Sequence, residues 1–142
     1  MRAELESRNA AGLMRGVGAA LLVAAALEVS PAAAADREFS KDFETCLDKA
    51  AGVTPAMIDC ISAELKRQDA LLNQNYRKLM ASLSAGRKKT LQEAQRAWIK
   101  FRDTNCDFYY DPDGGSAARV DANECLLNAT ADRANELAGL TR

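Results

Sequence analysis

The sequence predicts an all-α domain, a small bundle of about four helices stapled by two disulfides. Apolar residues recur every three to four positions through most of the chain, the period of a helix with one buried face. No run alternates apolar and polar residues with β-branched enrichment, so no strand is expected. Four cysteines, Cys46, Cys60, Cys106 and Cys125, all lie downstream of an apolar leader, the pattern of an exported, disulfide-held domain.

The leader comes first. Arg2, Arg8 and Arg15 form a positive segment, Gly16 to Leu27 is apolar, and Ala33-Ala34-Ala35 leads to an expected cut before Asp36. The apolar stretch is about 12 residues long, against roughly 20 for a membrane-spanning helix, so residues 1–35 read as a cleaved signal peptide. Met14 directly before Arg15 would give a signal of more ordinary length, which leaves Met1 and Met14 as alternative starts. No cysteine stands at the cut, so no lipid anchor is expected on the mature form. Residues 36–142 are then one domain, destined for a Gram-negative periplasm or the outside of the cell.

Helix by helix, Phe39, Phe43, Leu47 and Ala50 predict a first helix over about 38–51. Gly52 to Pro55 breaks it, with Thr54 suited to an N-cap and Pro55 to the first helical position. The second helix is long, with Ile58, Ile61, Leu65, Leu72, Tyr76 and Leu79 on one stripe that continues to Leu83. Only the turn around Gln68 lacks an apolar residue. A turn is expected at Ser84-Ala85-Gly86, where glycine suits a left-handed helix end. The third helix carries Leu91, Gln95, Trp98, Arg102 and Asn105 along one line, with Ala94, Phe101 and Phe108 beside it. Asp111 to Ser116 is a loop, and the last helix uses Ala122, Leu126, Ala129, Arg133, Leu137 and Leu140. Short connections favour antiparallel neighbours.

Folding these helices brings all four cysteines to one end of the bundle, so height alone leaves three pairings open. Sequence-local pairing, Cys46–Cys60 and Cys106–Cys125, is preferred because each bridge staples a short hairpin at little entropic cost. No cysteine pair has Cys-x-x-Cys spacing and histidine is absent, which argues against a redox or metal site.

The composition excludes more than it selects. Over residues 36–142, sixteen Lys and Arg face seventeen Asp and Glu, a balance unlike that of a nucleic-acid-binding domain. Without histidine the commonest general base and metal ligand are missing, and no nucleophile motif is present. The acids are expected on exposed helix faces, with no apolar pocket to raise one of them into a catalytic range. Neither an enzyme nor a cofactor-dependent protein is expected.

The segments LNQNYRKLM (Leu72 to Met80), AQRAWIKFRDTNC (Ala94 to Cys106) and TADRANEL (Thr130 to Leu137), with a Gly-Gly-Ser loop and a further cysteine between the last two, form an ordered motif. In this the chain resembles the LprI-type lysozyme-inhibitor domain, a small helical, cysteine-containing domain of bacterial envelope proteins. The resemblance runs from about Cys46 to Leu137. It implies a protein partner, a lysozyme or another peptidoglycan-cleaving enzyme, blocked by occlusion. A structural or interaction module of the envelope is the alternative.

Most of the motif residues read as structural. Trp98 sits on the apolar stripe and reads as core, with an interface contact as the alternative. Arg102, Asp103 and Arg133 suit internal charge pairs, because an arginine on a buried face must be paired. Asn73, Gln95 and Asn105 suit a polar groove or a buried network reached by the Tyr76 hydroxyl. The residues singled out for partner binding are those of the exposed loop: Asp111, Asp113, Gly114, Gly115 and Ser116. A protruding turn of small residues could enter an enzyme cleft while its carboxylates meet a basic rim. The competing reading is a turn that only joins two helices.

Overall fold

The computed structural model describes residues 37–141. The signal peptide, its cut before Asp36 and the two alternative starts lie outside the described residues. Four helices follow in order: α1 (Lys41–Ala50), α2 (Thr54–Ser82), α3 (Ala85–Phe108) and α4 (Gly115–Gly139). There is no strand among the described residues.

The helix ends follow local chemistry. Helix α1 begins three residues later than its apolar pattern suggests, because the Ser40 hydroxyl accepts a hydrogen bond from the Phe43 N–H and caps it. It ends in two left-handed residues, Ala51 (φ 47°) and Gly52 (φ 80°), the second being where glycine has no steric penalty. Val53 rather than Thr54 is the N-cap of α2, so Thr54 already lies inside the helix with Pro55 in its first turn. Between α2 and α3 the chain reverses through extended Leu83 and Ser84. Gly86 is not left-handed, contrary to the sequence expectation; two extended residues make the turn, and Gly86 lies inside α3.

Packing centres on α4. Its alanines Ala118, Ala122, Ala131 and Ala134 are buried together with Leu127 and Leu137, so it is covered on several sides rather than on one stripe. Small side chains let α2 approach closely, and α2 with α4 forms the most extensive interface. Ile61 shares a cluster with Leu127, and Leu72 and Leu79 share one with Ala134 and Leu137. Asn75 donates to the Ala134 carbonyl at 2.9 Å. Residue numbers rise together along both helices, so α2 and α4 run parallel. Sequence neighbours are antiparallel as expected, yet the dominant pair is not a pair of sequence neighbours. Helix α1 covers the first half of α2, and α3 lies antiparallel on another side of α4.

Cys46–Cys60 ties α1 to α2, and Cys106–Cys125 ties α3 to α4, with Cα separations of 5.7 and 5.4 Å. These are the sequence-local pairings, and none of the four cysteines is free.

The gap in the α2 stripe at Gln68 is filled by a buried polar cluster. The Glu64 carboxylate is 3 % exposed. It accepts from the Ser40 hydroxyl at 2.6 Å, from Arg67 at 2.6 to 3.0 Å and from the Gln68 amide at 2.9 Å. Arg67 and Gln68 also donate to the Glu38 carbonyl, so the cluster fastens the segment leading into α1 onto α2. Burial alone would raise the Glu64 pKa; the hydrogen bonds from Arg67, Ser40 and Gln68 outweigh it and hold the group down at about 2. The expectation that the acids all sit on exposed faces fails at this residue, because a carboxylate with this many donors no longer needs water.

Candidate functional site

Two surfaces emerge from this frame. The first is a groove between α2 and α3, which do not pack closely on each other. It encloses about 310 Å³ and brings together Asn73 and Tyr76 of α2 with Gln95, Trp98 and Arg102 of α3. Trp98 is half-buried, with the Arg102 guanidinium 5.1 Å and that of Arg133 5.8 Å from its ring centroid, both within cation–π range. Each arginine is held by its own acid. Arg102 donates to Asp103 at 2.7 and 2.8 Å and to the buried Thr130 hydroxyl at 3.3 Å. Arg133 donates to Glu136 at 2.6 Å and to the Gln95 side-chain oxygen at 3.0 Å. Asn73 is exposed and bonds back to Asp69, one turn earlier. Six of the eight motif residues, all but Asp103 and Asn105, therefore meet around Trp98 or line the groove beside it. Asn105 lies apart, its amide against the Cys125 sulfur at 3.5 Å.

The second surface is the end of the molecule that carries the loop. Asp111, Asp113, Gly114, Gly115 and Ser116 are all exposed. The Asp111 carboxylate accepts from the Asp113 N–H at 2.9 Å, and the Asp111 carbonyl accepts from the Gly114 N–H at 3.1 Å, which closes a tight turn. A Cβ on Gly114 would lie 2.7 Å from the Cβ of buried Ala118, so only glycine fits against the start of α4. Cys106–Cys125 anchors this end of α3, and two residues after Cys106 come three exposed aromatics that lead into the turn: Phe108 (84 %), Tyr109 (48 %) and Tyr110 (52 %). On the α4 side of Tyr109 a shallow depression collects Asp121, Glu124 and Asp132. Arg37 crosses it, with its guanidinium on Asp132 at 2.7 Å.

The aromatics are what sequence reasoning missed. Phe101 and Phe108 stand beside the inner line of α3 in the sequence pattern, but both are exposed, at 64 % and 84 %. Three consecutive aromatics immediately before a Pro-Asp-Gly-Gly turn were the available signal, since a helix end cannot bury three successive side chains on one face. Among the described residues no three of His, Cys, Asp and Glu converge in a way that could hold a metal ion. No described helix is long and apolar enough to cross a membrane.

Fold and surfaces together define a class: a disulfide-stapled helical domain with an exposed aromatic and acidic edge. The family model of lysozyme inhibitor LprI matches residues 46–137, from the first cysteine to the last buried leucine of α4. The chain belongs to that family. A relative in Rhizobium meliloti (strain 1021), itself an uncharacterised protein, is 32 % identical over a 92-residue alignment that covers 55 % of this chain and 66 % of the relative. The chain thus spans slightly less than two thirds of that relative's length. No solved structure matches.

Proposed function

We propose that the protein is an extracytoplasmic inhibitor that binds a lysozyme, or a related peptidoglycan-cleaving enzyme, and blocks it by occlusion. Membership of the lysozyme inhibitor LprI family is the observation that carries this reading. That family is one of inhibitors rather than catalysts, and the two disulfides agree with an oxidising compartment, the periplasm or the exterior. The contact surface in this proposal is the Asp111–Gly114 turn, with Gly115 and Ser116, which form the start of α4 rather than part of the loop, and with Tyr109 and Tyr110. Aromatics held on a rigid support are the usual anchors of protein interfaces, and they lose little conformational entropy on binding. The carboxylates of Asp111, Asp113, Asp121 and Glu124 surround them, which suits a partner with a basic rim.

The test is binding of the oxidised protein to a panel of lysozymes with muramidase activity read in parallel. Binding with loss of activity is the expected result. Replacing Asp111 and Asp113 by Gly and Ser, and Tyr109 and Tyr110 by Ser, should abolish both while leaving the helical circular dichroism unchanged. Absence of binding across the panel would move the weight to the reading as an interaction module of the envelope.

A further inference from the structure

We propose that the protein self-associates as an antiparallel dimer through the outer face of α3. That face carries Ala97, Phe101, Thr104 and Phe108, all exposed, at intervals of four, three and four residues. This is the spacing of a short coiled-coil seam, with Phe101 and Phe108 at one core position and Ala97 and Thr104 at the other. No helix of the described domain covers it, and the two phenylalanines are 64 % and 84 % exposed. Apolar residues at seam spacing with nothing on them call for a partner helix.

The residues flanking the seam say which partner. In an antiparallel pair each core position faces the other kind on the second helix. One register then sets Phe108 against Ala97 of the second copy and Phe101 against Thr104 of the second copy, large against small at every layer. The same register brings Lys100, beside the seam, to Asp107 of the second copy, and the two-fold axis makes that pair twice. Neither Lys100 nor Asp107 has an ion-pair partner among the described residues. A parallel pair would stack phenylalanine on phenylalanine and leave both charges without an opposite.

Charge along the whole helix points the same way. Its first part carries Arg87, Lys88, Lys89, Arg96 and Lys100 against one acid, Glu93. From Phe101 to its end it carries Asp103 and Asp107, with Asp111 and Asp113 in the turn beyond, while the single base, Arg102, is already bound to Asp103. In the register above the two helices overlap over about residues 97–108, so Lys100 on Asp107, made twice, is the charge contact within the seam, and Arg87, Lys88 and Lys89 lie beyond it; parallel pairing opposes like charges throughout. An overlap of about twelve residues buries well under the roughly 1,200 Å² of a standard interface, so the dimer is a weak one that depends on its charges. Its geometry would leave the two Asp111–Gly114 turns at opposite ends.

Sedimentation velocity on the oxidised protein recovered from expression of the full chain tests this. At low salt a monomer–dimer equilibrium is expected, weakening as salt rises from about 50 to about 500 mM. Phe101→Glu should weaken it at least about tenfold. Lys100→Asp and Asp107→Lys should each weaken it several-fold, and the two together should restore it, because the pair is re-formed with its signs exchanged. Unchanged helical circular dichroism separates loss of association from loss of fold. A monomer at the highest concentration and lowest salt overturns the proposal. So does a dimer indifferent to Phe101→Glu, or a double exchange no better than either single one. None of these outcomes depends on whether the protein binds a lysozyme.

Discussion

Glu64 is the one acid among the described residues sealed from solvent, and its carboxylate is held near a pKa of about 2 against an ordinary 4.5. Since the folded-state value is the lower, the charged group stabilises the fold fully above pH 4.5, and that contribution is lost as pH falls toward 2. Glu64→Gln should therefore cost roughly 2–3 kcal/mol at neutral pH and almost nothing near pH 2, measured by urea unfolding at the two pH values. A gap of the same size at both would refute the ionised cluster. Gly114→Ala should cost roughly 1–3 kcal/mol, because the added methyl meets Ala118 on a helix that cannot retreat. Neither residue was visible in its role from the sequence alone. Gln68 marked a hole in the α2 stripe, but what fills such a hole depends on Ser40, which comes from another element.

At the scale of elements, all four helices and both disulfides were legible, because periodicity and short loops act locally. The use of each face was not. A helical pattern marks apolar stripes without saying which one finds a partner, and α3 has two. The stripe through Gln95 and Cys106 is buried, whereas the one through Phe101 and Phe108 is open. Helix α4 was harder still, since alanines on several faces give a weak stripe, yet those alanines are why α2 lies so close. Ala134→Leu should therefore cost roughly 1–3 kcal/mol by overpacking, whereas Ala97→Leu on the outer face of α3 should change stability by less than about 0.5 kcal/mol. Comparable losses for the two, in thermal or urea unfolding, would mean that α4 is not the tightly packed centre. Trp98 calls for a pair of variants. Trp98→Phe keeps an aromatic face beside Arg102 and Arg133, and Trp98→Ala does not, so the alanine variant should be the less stable by roughly 1–2 kcal/mol in urea unfolding.

For the whole molecule, the bridges close loops of 14 and 19 residues. Each should contribute roughly 3 kcal/mol, a large share of what a domain of this size possesses. Dithiothreitol should accordingly lower the melting temperature sharply while helical circular dichroism persists at low temperature. An unchanged melting curve would mean that the bridges are absent or without effect. Overall composition, close to neutral, hides a separation of charge that appears only once α3 and the start of α4 are laid out in space. Asp107, Asp111, Asp113 and Asp121 lie toward one end, and Arg87, Lys88 and Lys89 toward the other. A basic rim on the proposed target enzyme would meet the acidic end.

The parallel run of α2 and α4 also sets an order of events when the chain emerges from its N-terminus. Helix α1 can fold onto α2 and form Cys46–Cys60 early, since both partners are adjacent in the chain. The apolar side of α2 must then wait through all of α3, because its cover arrives only with α4; Asn75 meets Ala134 across 59 residues. Until then α2 and α3 both lack their common partner, and the nascent chain exposes the surface on which aggregation or chaperone capture acts. A chain stopped before Gly115 would lose more than one helix, since it would leave three helices without the element that unites them.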